Sequence, residues 1–257
     1  INSIDELFCD IPKKFILNKS LNLPNPMKEW ELLRLINKKI NSNKSCCDFN
    51  SFLGGGVYDH HVPSVVEAIS SRGEFLTAYT PYQPEMSQGL LKGLNNFSEK
   101  ISASTSLPTV TCSHYDGATA LAEASWMAVS KTGRKSILVS EGLFPNYFKI
   151  LRTYCYARGV EIKEIPLNID SGNSDFELSS ELNYDKFAAV ILQTPNTFGV
   201  LEDLEKFKSF KEKNDLLTIC SMHPYLPFAK KFEENIFDII TFEAVSYTHL
   251  RAHETKK

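Results

Sequence analysis

Several things are missing from this sequence, and each absence removes a class of protein. No apolar run reaches the roughly 18 residues of a membrane-spanning helix, and no charged start followed by an apolar stretch opens the chain, so neither insertion nor export is expected. An excess of positive charge is missing too. The 28 lysines and arginines face 31 acidic residues, for a net charge of -3, which leaves no basic footprint for nucleic acid or an anionic membrane. The six cysteines, Cys9, Cys46, Cys47, Cys112, Cys155 and Cys220, are scattered with no C-x-x-C pair, a usage that fits a reducing, cytoplasmic compartment rather than a disulfide framework. There is no G-x-x-x-x-G-K-[ST], no G-x-G-x-x-G after a strand, no G-x-S-x-G and no H-E-x-x-H, which excludes kinase, esterase and zincin readings.

What remains is ordinary globular composition over 257 residues, 42% hydrophobic and 23% charged, enough for a sizeable core. Residues 1–50 read as a Lys-rich helical segment in which Met27, Trp30, Leu33, Ile36 and Ile40 recur on one helix face. Pro63 before Val65, Val66 and Ile69 predicts a helix with proline in its first turn. Ser87 is a candidate cap for another, with Leu90, Leu91, Leu94, Phe97 and Ile101 as its buried stripe. Beyond these, strand and helix alternate. Ser136 to Ser140, Val160 to Leu167, Ala188 to Gln193, Leu216 to Cys220 and Phe237 to Phe242 are strand candidates. Asn146 to Arg158, stopped by Gly159, and the segment lined by Leu201, Leu204, Phe207 and Phe210 are helices between them. This pattern predicts an α/β fold with a mostly parallel sheet, right-handed crossovers and helices on both faces.

Four segments are candidates for chemistry. The stretch Phe52 to His61 packs Gly54, Gly55 and Gly56 beside Tyr58, Asp59, His60 and His61; the glycines suit a tight turn or a backbone approach to phosphate. His60 and His61 are neighbours that point apart in an extended loop, so no metal site is assigned. In Tyr79-Thr80-Pro81-Tyr82-Gln83-Pro84-Glu85, two prolines stiffen an extended loop that presents two tyrosines, an amide and a carboxylate. Such a loop either binds something or is structural. In Cys112 to Ala124, a loop enters an alanine-rich helix whose N-terminus would suit a phosphate. Asp116, however, stands at the N-cap, where its carboxylate takes the free amides and repels a dianion.

The strings FLGGGVYDHHVPSVVEAISSRGEFLTAYTPYQPEMSQG, SHYDGATALAEA and QTPNTFGVLEDLEKF resemble the N-terminal half of the glycine-cleavage P-protein, which in many prokaryotes is a separate chain, subunit 1. The similarity covers nearly all of Ser3 to Ala244. It implies a fold-type I, pyridoxal-phosphate (PLP) transferase-like architecture. The implied activity is decarboxylation of glycine with aminomethyl transfer to the lipoyl H-protein. The resemblance also implies that PLP is bound covalently by a lysine of the partner, subunit 2, in a heterotetramer. On this reading Tyr79, Tyr82, Gln83 and Glu85 are catalytic groups contributed in trans, and Tyr58 and His60 are weaker cofactor contacts, also in trans. In fold-type I enzymes an aspartate near a strand end pairs with the pyridine nitrogen. The comparable stretch Ser221-Met222-His223-Pro224 offers His223, a poorer partner for a pyridinium.

Two departures concern the ends. The first residue is Ile1, so the natural start is expected to lie upstream. Val245 to Lys257 fits no family position and reads as a translated adapter tail. The expected division is therefore 1–50 helical segment, 51–244 incomplete large domain and 245–257 non-native tail. Two alternatives stay open: an independent fold-type I PLP transferase or lyase with its own lysine, and a non-catalytic scaffold subunit.

Overall fold

The computed structural model describes residues 3–44, 49–50, 52, 61–76, 84–105, 107–111, 114–177, 182–223 and 236–243, with backbone alone for 76 and 84–87. Two compact units divide the chain, residues 1–51 and 52–254. In the first, 3-10 turns at Ile4–Phe8 and Lys13–Phe15 precede helix α1, Glu29–Ile40. The Glu31 carboxylate accepts from the backbone N–H of Lys28 at 3.1 Å, and Lys38 and Lys39 in the last turn complement the helix dipole. Of the apolar stripe read from the sequence, Trp30, Leu33, Ile36 and Ile40 lie in α1 while Met27 precedes its N-cap, and Trp30, Leu33 and Ile36 lie exposed.

The second unit opens with α2 (Ser64–Ser70), α3 (Gly73–Leu76) and α4 (Pro84–Thr105). Two expectations are corrected here. Pro63 is the N-cap of α2 rather than part of its first turn. Helix α4 starts at Pro84, not after Ser87, because proline's fixed φ suits a first helical position. Glu85 therefore sits in the first turn of a helix rather than in an extended loop. The α4 stripe is only half-buried at Leu90, Leu91 and Leu94, and Phe97 is exposed.

The rest is a five-stranded, all-parallel sheet in the order β2-β1-β3-β4-β5. Its strands are β1 (Ser136–Ser140), β2 (Glu161–Ile165), β3 (Phe187–Thr194), β4 (Leu217–Met222) and β5 (Ile239–Thr241). Helix α5 (Gly117–Thr132) precedes β1, α6 (Pro145–Arg158) joins β1 to β2, and α7 (Leu204–Lys213) joins β3 to β4. Every residue of β3 is buried, as a continuous apolar run in a central parallel strand demands. Strand β2 lies at one side of the sheet and keeps Glu161, Lys163 and Glu164 exposed, the charges that discourage edge pairing.

Parallel register aligns Val139, Ile191, Ile219 and Ile239 across four strands. That row faces Leu121, Ala122, Ala124 and Ala128 of α5 and Leu151 and Cys155 of α6. Alanines let α5 approach closely, and Gly133 (φ 72°) and Gly159 (φ 65°) end the two helices in left-handed turns. On the other face Leu138, Val190 and Leu192 meet Phe207 and Phe210 of α7, with Phe237 stacked on Phe207 at 5.1 Å. Each such fully buried side chain contributes about 1.5–3 kcal/mol. The Asp203 side chain caps α7 by accepting from Glu205 N and Lys206 N, both at 3.1 Å. Leu201 stands before that helix and is exposed.

Candidate functional site

In an open parallel sheet, ligands bind beyond the carboxyl ends of the strands, where the strand order reverses. Here that point lies between β1 and β3. A buried polar network fills it, made by three loops. Ser140, the last residue of β1, shares a hydrogen bond with Ser174 at 2.7 Å. Ser174 donates its N–H to Glu202 at 3.0 Å and its hydroxyl to the same carboxylate at 3.1 Å. Asn196 donates to the carbonyl of Gly172 at 2.8 Å and accepts from the N–H groups of Phe198 and Val200 at 3.0 and 3.2 Å. Glu202 N donates to Thr194 Oγ1 at 3.2 Å. Glu202, Ser174, Asn196 and Thr194 are all buried, so the carboxyl of Glu202 is desolvated. That pushes its pKa above the ordinary carboxylate range, although the bonds from Ser174 and Asn196 pull it back. This arrangement is a rigid clasp between the β2–β3 and β3–α7 loops.

Over β5 the geometry is different. Asp116 N-caps α5 in extended conformation, its carboxylate accepting from Thr119 N at 2.7 Å and from the Thr119 hydroxyl at 2.8 Å. The N–H of Gly117, the first helical residue, donates to the carboxylate of Glu243 at 2.7 Å. Tyr147 of α6 leans against the same corner, where a Cβ on residue 117 would collide with its hydroxyl and press on Glu243 Cγ at 3.0 Å. Glycine is required there by that close approach. Burial raises the Glu243 carboxyl above its ordinary range, with the bond from Gly117 N–H lowering it and the neighbouring Asp116 raising it further. Burial, with the charges of Glu243 and Asp116, raises the Tyr147 hydroxyl likewise. His223 follows β4 directly, half-buried, its N–H donating to Thr194 O at 3.3 Å.

This corner answers whether the α5 N-terminus suits a phosphate-bearing cofactor. Two of its first three amides already hold carboxylates of this chain, and both carboxylates would repel a dianion. The donor set does not fit that group. The expectation that Asp116 caps this helix is met in the described geometry. Of the predicted site residues, Tyr58, His60, Tyr79, Tyr82 and Gln83 lie outside the described residues, and for Glu85 the backbone alone is described. Cys46, Cys47, Gly54, Gly55, Gly56 and residues 244–257 also lie outside them. Among the described residues no group of three His, Cys, Asp or Glu side chains is placed to hold a metal, and no helix is long and apolar enough to cross a membrane.

Comparison with known proteins decides the family. The family model for the glycine cleavage system P-protein matches residues 1–226. The chain belongs to the glycine cleavage system P-protein family. A relative in Moorella thermoacetica, named probable glycine dehydrogenase (decarboxylating) subunit 1, is 43% identical over 221 residues, 86% of this chain and 49% of the relative. One of the same name in Halalkalibacterium halodurans is 42% identical, covering 87% of this chain and 50% of the relative. This P-protein family member thus spans about half the length of the curated relatives it matches. A crystal structure of glycine decarboxylase (P-protein) of the glycine cleavage system, in inhibitor-bound form, is 40% identical with a TM-score of 0.75, over 87% of this chain and 49% of that one. Lactobacillus brevis glutamate decarboxylase, 13% identical over 92% of this chain and 58% of its own with a TM-score of 0.59, shares the fold alone. The fold is therefore the fold-type I, PLP-transferase-like one that the resemblance implied.

Sequence reading missed Glu243, Tyr147 and the Ser174–Asn196–Glu202 clasp. Glu243 meets Gly117 across 126 positions, a pairing with no local signal. Asn196 had one, since an Asn after Pro195 and before Gly199 is turn chemistry.

Proposed function

We propose that this chain acts as subunit 1 of a PLP-dependent glycine decarboxylase that takes glycine as substrate and passes its aminomethyl group to the lipoyl arm of H-protein. The covalently bound PLP belongs to subunit 2, the location is cytoplasmic, and neither nucleic acid nor membrane takes part. One observation carries this reading: a chain similar along most of its length to proteins named as subunit 1 closes its own α5 N-terminus with two carboxylates. A fold-type I chain of this kind supports a cofactor site elsewhere better than one of its own.

On this reading the partner's PLP would supply the sink for the electron pair left on the glycine α-carbon when CO2 departs. The chain's own residues orient the substrate, exclude water and hold protons at the seam between subunits. Tyr79, Tyr82, Gln83 and Glu85 are the groups we assign to that task, because Pro81 and Pro84 limit the backbone between them and such groups must be held to within about 0.5 Å. Tyr82 and Glu85 offer a hydroxyl and a carboxylate for proton handling, and Gln83 an amide for the substrate carboxylate. Tyr58 and His60 are assigned weaker contacts to the cofactor.

The test is glycine/bicarbonate exchange by this subunit, in its full reading frame, paired with subunit 2. Tyr82→Phe or Glu85→Gln is expected to lower exchange at least about tenfold, roughly 1.4 kcal/mol of barrier, while the two chains co-purify as before. Undiminished exchange in both variants, or a loss traced to failed assembly, would leave the scaffold reading in its place.

A further inference from the structure

We propose that Glu243 is a chain-borne anion that permanently occupies the place a phosphate would take at the N-terminus of α5, so that this subunit is closed to phosphate-bearing ligands by its own residues. A helix N-terminus attracts anions through its free amides and the positive end of its dipole. In this subunit the attraction is already satisfied from within. The Glu243 carboxylate is brought from beyond β5 to Gly117 N–H at 2.7 Å, half-buried and walled by Tyr147 at a distance that excludes any side chain on residue 117. Asp116 supplies the second negative charge at Thr119 N, 2.7 Å away.

A buried polar group lies nearby in sequence, two residues before Glu243. The hydroxyl of Thr241, 7% exposed, has no hydrogen-bond partner among the described residues. Strand alternation puts Thr241 on the same face as Ile239, which packs beneath α5, and Glu243 is two residues further on. With the Glu243 carboxylate withdrawn, the Gly117 N–H is left as a donor for an anion, and one of the two charges that repel it is gone.

The inference rests on the proposed reading only for where the cofactor is not. Its test reads anion binding rather than glycine turnover, so the two can fail separately. Inorganic phosphate is titrated into the full chain and followed by phosphorus NMR and calorimetry. The unaltered chain is expected to show no saturable binding. The variant combining Asp116→Asn, which keeps the cap but loses its charge, with Glu243→Ala is expected to bind phosphate saturably, with an affinity at least about tenfold above the detection limit that the unaltered chain fails to reach. Glu243→Gln, which keeps the volume and an acceptor for Gly117, serves if the double variant fails to fold, and is expected to move affinity the same way by a smaller factor. Saturable phosphate binding by the unaltered chain, or a folded variant that binds no better than it, would overturn the proposal.

Discussion

Glu202→Ala tests the clasp at the carboxyl end of the sheet. The Glu202 carboxylate is the acceptor for two donors of Ser174, at 3.0 and 3.1 Å, in a site where both residues are 6% exposed. Truncation leaves those donors buried without their acceptor, which costs about 1–3 kcal/mol for each. Removing a desolvated carboxylate returns part of that, since its raised pKa records a penalty on the charged form. The net loss is then about 2–4 kcal/mol. At about 2–4 °C per kcal/mol for a unit of this size, Tm should fall by about 4–16 °C. Thermal melts followed by circular dichroism read this directly. Limited proteolysis should show new cleavage between 168 and 173 and between 196 and 201, the loops the clasp joins. Glu202→Gln, which can accept from only one of the two donors, should fall between. A Glu202→Ala chain that melts within about 2 °C of the parent would show that the network does not hold these loops.

Two further outcomes follow from the same environments. Glu202 and Glu243 have carboxyl pKa values raised on folding, so the native state binds protons more readily than the unfolded one. Stability contributed this way is complete on the acid side of the ordinary glutamate range and declines as pH rises through the raised values; urea midpoints should show that decline, and Glu202→Gln should flatten it. Burial, only partly offset by Arg158, pushes the Cys155 thiol up to about 11, and Cys220 is buried and raised as well. Iodoacetamide at about pH 8 should therefore label exposed Cys9 in the native chain, but Cys155 and Cys220 only after denaturation, as peptide mass mapping would show.

The parts of the fold legible in the sequence were those set by local period and punctuation. The run from Ala188 to Gln193 is a strand because every position of β3 is buried, and Gly159 ends α6 because only glycine enters the left-handed turn cheaply. Asp116 was legible as a cap for the same local reason. Helix α4 was misjudged at its start because Pro84 serves equally a stiff loop and a first helical turn. The α1 stripe was read correctly as amphipathic, but periodicity says which face is apolar and not what covers it. The clasp and the Glu243 contact escaped because the sheet order, rather than sequence spacing, brings Ser174 to Glu202 and Gly117 to Glu243.

On the proposed function, this chain works beside a cofactor held by another chain. Borohydride reduction of the complex purified with subunit 2 and loaded with PLP, followed by mass spectrometry of both chains, tests it most directly. A phosphopyridoxyl-lysine is expected in subunit 2 and none on any lysine of this chain. A stoichiometric phosphopyridoxyl-lysine in this chain would contradict it.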